Sequence, residues 1–291
     1  MNGLLLLDKP AGMTSHDVVR RVRRATGEES VGHLGTLDPM ATGLLPLLLG
    51  RYTRLAQFYG QAEKAYTGTI RFGFATDTFD AAGEAASEPK PLTHSIEELR
   101  TLATRFHGEM SQMPPAYSAK KINGKPAYKL AREGKAVDLK PARIVISHFE
   151  LTALEGECAS FGIELSAGGY VRAVAQELGQ LAGCGAHLAG LRRTRAGCFR
   201  LEDAMTLEQM EQRAAEGALQ ASLPHPRTLL PEMPSVTVDE QTCGRIRNGM
   251  AVNAPEYSNA PLVKIFSSQR DLLAIGKRVA GTLMQPMIVL G

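Results

Sequence analysis

Tryptophan is absent from this chain of 291 residues, and the other aromatic residues are scarce. Seven tyrosines and nine phenylalanines make up only 5% of the sequence. Proteins that hold single-stranded nucleic acid along an extended surface stack successive bases on aromatic side chains. The scarcity of such side chains argues against a broad stacking platform.

Cysteine is also rare, and its spacing excludes two common kinds of site. The four cysteines are Cys158, Cys184, Cys198 and Cys243, and no two of them form a C-x-x-C pair. The sequence therefore contains no recognisable zinc knuckle and no dithiol redox motif. We expect reduced, partly buried thiols, as is usual for a cytosolic protein.

Long apolar runs are missing as well. The first residues, MNGLLLLDKPAG, lack a basic segment and contain a run of only four leucines, too short for a signal peptide or a membrane span. The composition is 44% hydrophobic and 22% charged, which is ordinary for a globular protein. We therefore expect a cytoplasmic protein without a membrane partner, built as one large domain or as a large and a small one.

The net charge of +3 is unevenly distributed. Residues 116–143 have a net charge of +6, which leaves −3 for the rest of the chain. Such a patch fits a localised contact with a polyanion, although a solvated surface hairpin is the alternative. Because Asn123-Gly124 is a tight-turn signal, we predict a projecting hairpin or helical loop over about 113–143, called the thumb here. Its basic residues include Lys120, Lys121, Lys125 and Lys129.

The pattern of elements predicts an α+β fold. Strands are predicted at 3–7, 66–75, 144–151 and 161–165, and helices start after Thr14 or Ser15, after Ser95, near 171 and after Thr206. Residues 8–12 and 76–83 are predicted to be turn-rich. Prolines crowd residues 224–234, a predicted linker. We predict a mixed, mainly antiparallel central sheet with flanking helices and loops in residues 1–225, and a small β-rich domain in residues 232–291 that docks on it.

Residues 32–43, GHLGTLDPMATG, contain too many turn formers for a helix or strand. An Asp in such a loop is most often a turn former whose carboxylate accepts backbone N–H groups. Asp38 and His33 could begin a metal site, but even an open zinc site needs a third protein ligand, and none is near in sequence. A glycosidase would need a second carboxylate, which this loop lacks. The loop alone leaves the role of Asp38 open.

Arg172 stands at the start of a predicted helix, where the helix dipole disfavours a cation by about 0.3–1 kcal/mol. A carboxylate partner would offset this cost. An arginine would also hold that carboxylate ionised, because the guanidinium does not give up its proton. Spacing alone favours the simpler alternative, an arginine exposed to solvent.

Six segments between residue 3 and about residue 200 resemble, in the right order, the motifs of the TruB-type tRNA pseudouridine synthases. They are LLLLDKPAGMTSHDVV, GHLGTLDPMATG, KAYTGTIRFGFATDTFDAAG, MPPAYSAKKINGKPAYKLAREG, LSAGGYVRAVAQELG and GAHLAGLRRTRAGCF. The resemblance implies the pseudouridine synthase fold with a PUA-like RNA-binding domain at the C-terminal end. It also implies isomerisation of uridine to pseudouridine at position 55 in the tRNA T-loop, without a metal or organic cofactor.

The resemblance also implies roles for individual residues. Asp38 matches the catalytic aspartate, acting as nucleophile or as base at the ribose, and Arg172 matches the arginine that pairs with it. Tyr66 matches the aromatic residue that stacks on the target base and can handle a proton. His33 matches the residue that fills the space left by flipped-out loop bases. The remaining matches are Leu191 as a wall of the uracil pocket, Lys9 and Pro10 as supports beneath the tyrosine, Asp80 as a carboxylate beside the site, and Lys120, Lys121, Lys125 and Lys129 as RNA contacts of the thumb.

Alternatives and departures accompany these matches. Leu191 and Pro10 could simply pack in the core, and Lys9 and Asp80 could form a structural ion pair or cap a turn. The family pattern Cys-Ser-Lys-Gly-Thr is LSAGG at 165–169, and Phe79 stands where the family has a small or polar residue. We expect a stand-alone monomeric enzyme with tRNA as its partner, the alternative being a non-catalytic tRNA-binding folding chaperone.

Overall fold

The computed structural model describes residues 1–118, 120–122, 125–127, 130 and 139–291. The helices that it describes from end to end are α1 (Ser15–Thr26), α2 (Ile96–Ala103), α3 (Val171–Leu181), α4 (Leu207–Ala215), α5 (Leu219–Ser222) and α6 (Glu240–Arg247), with 3-10 segments at Gly50–Phe58, Thr104–Phe106, Leu201–Asp203 and Pro226–Thr228. Among the described helices, none combines the length and the apolar character that crossing a bilayer requires.

The described strands fall into a large sheet, a small sheet and a separate hairpin. They are β1 (Gly3–Lys9), β2 (Val31–His33), β3 (Thr42–Leu49), β4 (Lys64–Phe72), β5 (Gly108–Gln112), β6 (Lys121–Ile122), β7 (Lys125–Pro126), β8 (Ala142–Glu155), β9 (Cys158–Leu165), β10 (Ala186–Ala196), β11 (Phe199–Arg200), β12 (Met205–Thr206), β13 (Ser235–Thr237), β14 (Val252–Asn253), β15 (Leu262–Phe266), β16 (Leu272–Ala280) and β17 (Leu283–Val289).

The large sheet has the order β12-β1-β3-β10-β4-β9-β8-β5, with β2 beside β3 and β11 beside β10. Strand β1 is parallel to β12, and β3 is parallel to β10. The other strand pairs of this sheet are antiparallel. The predicted α+β fold with a mixed, mainly antiparallel central sheet is therefore confirmed.

Strands β1 and β3 explain the leucine runs of the sequence. Alternate residues of a strand point to opposite faces, and both faces of these two strands are covered. Leu4 and Leu6 enter one apolar core, whereas Leu5 and Leu7 enter another beneath α1 and α4. A third core lies between β4, β8 and β9 and the helices α2 and α3. The sheet thus holds β3, β4 and β10 in a fixed arrangement.

Capping boxes start three of the helices. The pairs are Thr14 with Asp17, Ser95 with Glu98, and Thr206 with Gln209, the first residue of each being the cap. Of the two caps that the sequence allowed for α1, the structure selects Thr14. The helix ends at Thr26 and is capped by Gly27, whose φ of 67° lies in the left-handed region that glycine adopts at low cost.

Some predicted loops are shorter than expected because their ends pair with neighbouring strands. The prediction that residues 32–43 contain no strand is wrong at both ends, since His33 lies in β2 and Thr42 begins β3. Lys9 was predicted in a turn, but it extends β1 by pairing with Gly43. Strand β4 ends at residue 72, three residues before its predicted end.

All four cysteines are free, and Cys198 is exposed rather than partly buried.

The small sheet has the order β13-β15-β16-β17-β14 and confirms a small β-rich domain at the C-terminal end. Its apolar residues share a core with β1 and β3, and Leu229 and Leu230 from the proline-rich stretch pack between them. The guanidinium groups of Arg51 and Arg54 donate to backbone carbonyls of the last residues at 3.3 and 2.6 Å. The small sheet therefore docks on the large one, as predicted, whereas the boundaries at 225 and 232 stay predictions.

Lys264 fastens the proline-rich stretch to the small sheet. Its side chain is buried, and Nζ donates to the carbonyls of Arg227 at 2.8 Å and Leu229 at 2.7 Å. The Arg227 guanidinium lies over the ring of Phe266, 4.3 Å from its centre. The predicted linker is therefore bound at Arg227 and Leu229 by the domain that follows it.

The described part of the thumb contains the two-stranded hairpin of β6 and β7. The Asn123-Gly124 turn and Lys129 lie outside the described residues. For Lys121 and Lys125 the structure describes the backbone. The side chain of Lys120 is described, and its Nζ donates to the carbonyl of Lys140 at 3.0 Å.

Candidate active site

A cleft of about 240 Å³ opens where the loop between β2 and β3 meets the connection from β9 to α3. Strands β4 and β10 supply the rest of its wall. The lining side chains that carry charge, aromatic surface or apolar bulk are Leu37, Asp38, Lys64, Tyr66, Leu165, Tyr170, Val171, Arg172 and Leu191. Asp38 is the one carboxylate among the described lining residues.

Arg172, at the start of α3, is bound by two carboxylates. Its Nε lies 2.9 Å from Asp38 Oδ2, and Nη2 donates to Asp38 Oδ1 at 3.3 Å. Nη1 lies 3.5 Å from Asp80 Oδ2. The guanidinium also donates to the carbonyls of Thr78 at 3.1 Å and Tyr117 at 2.9 Å. The alternative of a solvent-exposed arginine is wrong, because the Arg172 side chain is only 5% exposed.

Asp80 is both a turn cap and an ion-pair partner. Thr78 Oγ1 donates to Asp80 Oδ1 at 2.6 Å, and the N–H of Ala82 donates to the same oxygen at 3.0 Å. Asp80 also forms an isolated parallel bridge with Leu188 of β10. Since its other oxygen faces Arg172, Asp80 ties the turn at 76–83 to the cation that holds Asp38.

The surroundings of Asp38 push its pKa in opposite directions. Burial raises the pKa of this carboxyl above its ordinary value, and the charge of Arg172 is the strongest effect that opposes the rise. Asp80 raises the pKa further, whereas Lys9 lowers it. The net direction is upward, so the Asp38 carboxylate is more basic than an exposed aspartate.

Tyr66 lies in β4 directly opposite Arg193 of β10. It lines the cleft and also packs against the two apolar cores on either side. Burial raises the pKa of the Tyr66 phenol, and the nearby Arg193 guanidinium partly opposes that rise. The phenol is therefore protonated at neutral pH, with its ring against the cleft.

Lys9 is buried and anchors the loop that carries Asp38. Its Nζ donates to the carbonyls of Pro10 at 2.9 Å, Met13 at 2.6 Å and Pro39 at 3.4 Å. Burial lowers the pKa of Lys9 to about 8, against an opposing effect of Asp38. Of the alternatives for Lys9, the structure therefore shows a turn cap. Pro10 is exposed, so it does not pack in the core.

Arg193 is an anchor that the sequence analysis did not single out. Its side chain is fully buried. Nε donates to the carbonyl of Leu44 at 2.7 Å, Nη2 to that of Gly35 at 3.0 Å and Nη1 to that of Thr36 at 3.3 Å. A buried guanidinium thus holds the first half of the loop that leads to Asp38.

The positive charge of Arg193 affects the ionisable groups around it. Burial, followed by the charge of Arg193, lowers the pKa of Lys64 and of His33. His33 lies in β2, outside the lining of the cleft, and its Nδ1 accepts the N–H of Gly35 at 3.4 Å. His33 is therefore neutral at pH 7. Lys64 lines the cleft, and its Nζ donates to the carbonyl of Ala62 at 3.0 Å.

Lys64 and Arg193 were not among the predicted site residues, although the sequence contained a positional signal for each. Lys64 lies two residues before Tyr66, and Arg193 lies two residues after Leu191. Alternate residues of a strand share a face, so each was predictable as a neighbour of a residue already singled out. Leu191 packs against both adjacent cores and also lines the cleft, whereas its role as a wall of the uracil pocket stays a prediction.

The two departures from the family pattern have local structural consequences. A Cβ atom at Gly169 would lie 2.4 Å from Leu165 Cδ1. Leu165, which is larger than the cysteine of the family pattern, therefore fills the space that a side chain at position 169 would need. This part of the cleft wall is consequently apolar. Phe79 has a φ of 65°, a conformation that bulky residues seldom adopt. Its backbone is held there by the N–H of Leu188, which donates to its carbonyl at 3.0 Å.

The described residues contain no group of three or more His, Cys, Asp and Glu side chains placed to hold a metal ion. In the part of the chain that the structure describes, no third ligand therefore accompanies His33 and Asp38, as a metal site would require.

Solved structures show the same fold. The chain has a TM-score of 0.71 against an H/ACA RNP bound to a substrate RNA containing 2′-deoxyuridine, with 23% sequence identity, covering 99% of this chain and 85% of that one. It has the same TM-score against a Cbf5–Nop10–Gar1 complex, with 24% identity and the same coverage of both chains. The chain thus shares its overall fold with the matched chains of these two complexes.

Sequence comparison then identifies the family. Residues 23–171 match the N-terminal domain of the TruB family pseudouridylate synthases, and residues 172–231 match the C-terminal domain of tRNA pseudouridylate synthase B. The chain is 47% identical over 293 residues to tRNA pseudouridine synthase B of Solibacter usitatus, covering 100% of both chains. It is 41% identical over 280 residues to that of Ectopseudomonas mendocina, covering 95% of this chain and 91% of the relative. The chain belongs to the TruB family of pseudouridylate synthases, and it is an enzyme.

Proposed function

We propose that this enzyme isomerises uridine to pseudouridine at position 55 in the T-loop of tRNA. The observation that carries the proposal is the ion pair of Asp38 with Arg172 in a cleft walled by Tyr66 and Leu191. In this reaction the N1–C1′ bond breaks and a C5–C1′ bond forms. C5 loses a proton and N1 gains one, so the product has the same atoms as the substrate.

Asp38 supplies the carboxylate that acts on the ribose, as nucleophile at C1′ or as base. Arg172 holds it ionised and oriented, because the guanidinium keeps its proton throughout. About a third of the Asp38 side chain, 34%, stays open to the cleft, whereas Arg172 and Asp80 are 5% and 7% exposed. The reactive carboxylate therefore faces the substrate, and the groups that support it are enclosed.

Tyr66 and Leu191 enclose the target base. The base must leave its stack before it can turn over, which costs a few kcal/mol. Tyr66 offers its ring as a stacking surface, and its protonated phenol can donate a hydrogen bond or a proton. Leu191 supplies an apolar wall, and Lys64 brings a positive charge to the cleft edge for an RNA phosphate.

His33 fills the space left by flipped-out loop bases. Its lowered pKa supports this role, since a neutral imidazole packs against the remaining bases without bringing a charge into their stack. Lys9 and Pro10 act as supports beneath Tyr66, and the Lys9 ammonium joins the backbone of Pro10 to the backbone of Pro39, directly after Asp38.

Electrostatic attraction draws tRNA to the thumb, where Lys120, Lys121, Lys125 and Lys129 bind phosphates. The T-loop is then selected by its shape, since RNA is commonly recognised through splayed loops. Residues 1–225 form the catalytic domain, and residues 232–291 form a PUA-like domain that extends the RNA contact. The enzyme acts as a monomer in the cytoplasm, where its tRNA substrate is found.

The test uses an unmodified tRNA transcript tritiated at uridine C5. Because C5 loses its hydrogen only when it bonds to C1′, each isomerisation releases one tritium atom into water. We expect release from the normal transcript and none from a matched transcript with cytidine at position 55. No release at enzyme concentrations that shift the RNA on a gel would refute the proposal and favour the non-catalytic chaperone. Equal release from both transcripts would refute the assignment to position 55.

A further inference from the structure

We propose that Ser15 is a positioning residue for Asp38, acting through the backbone of Leu37. The inference rests on the proposed role of Asp38 in the reaction. Ser15 is the first residue of α1 and stands beside the residue that caps this helix, so its sequence position alone suggests a capping role. The structure gives it a different set of partners.

Thr14 performs the capping of α1 without help from Ser15. Thr14 Oγ1 accepts the N–H of Asp17 at 3.0 Å. The Asp17 carboxylate in turn accepts the N–H of Thr14 at 2.9 Å and its hydroxyl at 2.6 Å. Since this capping box is complete, the hydroxyl of Ser15 is available for another contact.

Ser15 turns into the protein and binds both backbone groups of a single residue. Its Oγ accepts the N–H of Leu37 at 2.8 Å and donates to the carbonyl of Leu37 at 3.1 Å. Ser15 and Leu37 are 22 residues apart in sequence, and both are almost fully buried. Water therefore cannot replace the hydroxyl, and a buried backbone group that loses its partner is costly.

The position of Leu37 makes this contact matter for the cleft. Leu37 directly precedes Asp38 in the irregular part of the loop, where strand pairing does not fix the backbone. The Leu37 side chain packs in the apolar core beneath α1, so Ser15 and that core hold its backbone and its side chain together. Ser15 thus sets the point from which the Asp38 carboxylate reaches Arg172.

Other anchors of the loop act at different points. Arg193 binds the carbonyls of Gly35 and Thr36, and Lys9 reaches the carbonyl of Pro39. Ser15 therefore holds the backbone of the residue that directly precedes Asp38. It carries no charge, so its replacement leaves the electrostatics of the cleft unchanged.

The experiment compares Ser15→Ala with Thr14→Ala in the full-length protein, using single-turnover tritium release from a saturated complex and the KM for tRNA. We expect Ser15→Ala to lower the single-turnover rate by about 10- to 100-fold with KM changed less than threefold, because a small misplacement of a reacting group costs up to about 10²-fold. Thr14→Ala should lower the melting temperature and keep the rate within twofold. Ser15→Cys keeps a weaker hydrogen-bonding group and should have an intermediate rate.

Three outcomes would overturn the inference. The first is a wild-type single-turnover rate in Ser15→Ala. The second is an equal loss of rate in Thr14→Ala, which would make the effect one of general stability. The third, decisive if Ser15→Ala fails to fold, is a folded Ser15→Cys variant with the wild-type rate. In each case the wild-type protein must release tritium; if it does not, the proposed function itself has failed.

Discussion

Replacing Arg172 by methionine should reduce both stability and catalysis, because it leaves two carboxylates without their shared cation. The substitution keeps an unbranched side chain of similar reach. It removes the contacts with Asp38 and Asp80 and the hydrogen bonds to two backbone carbonyls. The Asp80 side chain is 7% exposed, so water cannot replace the lost guanidinium there.

The expected loss of stability in Arg172→Met depends on how deeply each of the two carboxylates is buried. Removing one partner of a buried ion pair costs about 3–5 kcal/mol. Asp38 keeps 34% of its side-chain surface exposed, and solvent therefore reduces its share of the cost. We expect the lower end of the range, about 3 kcal/mol. For a chain of 291 residues that loss lowers the melting temperature by about 5 °C.

Thermal unfolding measured by circular dichroism tests this value, with Arg200→Met as the matched control. Arg200 pairs with Glu202 at 3.3 Å, but these side chains are 61% and 76% exposed. An exposed pair of this kind contributes at most about 1 kcal/mol. Adding Asp80→Asn to Arg172→Met should recover part of the lost stability, since it removes one uncompensated carboxylate.

The reasoning would be refuted if Arg172→Met melted at the same temperature as the Arg200→Met control. It would equally be refuted if Asp80→Asn destabilised the Arg172→Met protein further. Tritium release measured well below the melting temperature should be abolished in Arg172→Met, because Asp38 is then neither oriented nor held ionised.

Three other predictions concern pH, backbone strain and charge. Because Asp80 raises the pKa of Asp38, Asp80→Asn should shift the acidic limb of kcat/KM to lower pH; a pH–rate profile with an unchanged or higher limb would contradict this. Gly43→Ala should lower the melting temperature far more than Gly12→Ala, since both have positive φ but only the first would bring Cβ to 2.4 Å from a backbone oxygen of β10; equal effects would exclude the clash. Lys64→Met should reduce the slope of log Kd for tRNA against log salt by about 1, and an unchanged slope would mean that Lys64 binds no phosphate.

Local signals predicted the starts of α1, α2 and α4, because each begins with a capping box of residues three apart, whereas α5 and α6 were not predicted. Thr14 with Asp17 forms its capping box within one helical turn, independently of the rest of the fold. The ends of the loops were less predictable. Lys9 extends β1 by pairing with Gly43 of β3, and His33 lies in β2 because it pairs with Leu47 of β3. Both partners are distant in sequence, so a local pattern does not reveal them.

In the candidate site too, local sequence predicted some features, whereas others depend on contacts that are distant in sequence. Sequence motifs indicated Asp38, Tyr66 and Arg172, but the burial of the Arg172 guanidinium depends on contacts with residues up to 134 positions away. Spacing within a short segment cannot reveal such an enclosure. The position of Arg193 two residues after Leu191 indicated a shared strand face, but not the burial of its guanidinium, since its backbone acceptors come from another part of the chain.

The central claim, that the Asp38 carboxylate performs the isomerisation, is tested most directly by Asp38→Asn. This substitution nearly preserves the shape of the side chain and leaves an oxygen for Arg172, while it removes the negative charge. The measurement pairs single-turnover tritium release from C5-labelled tRNA with the Kd for the same transcript. We expect release to be abolished and the Kd to stay within a few-fold of the wild-type value. Release near the wild-type rate would contradict the account.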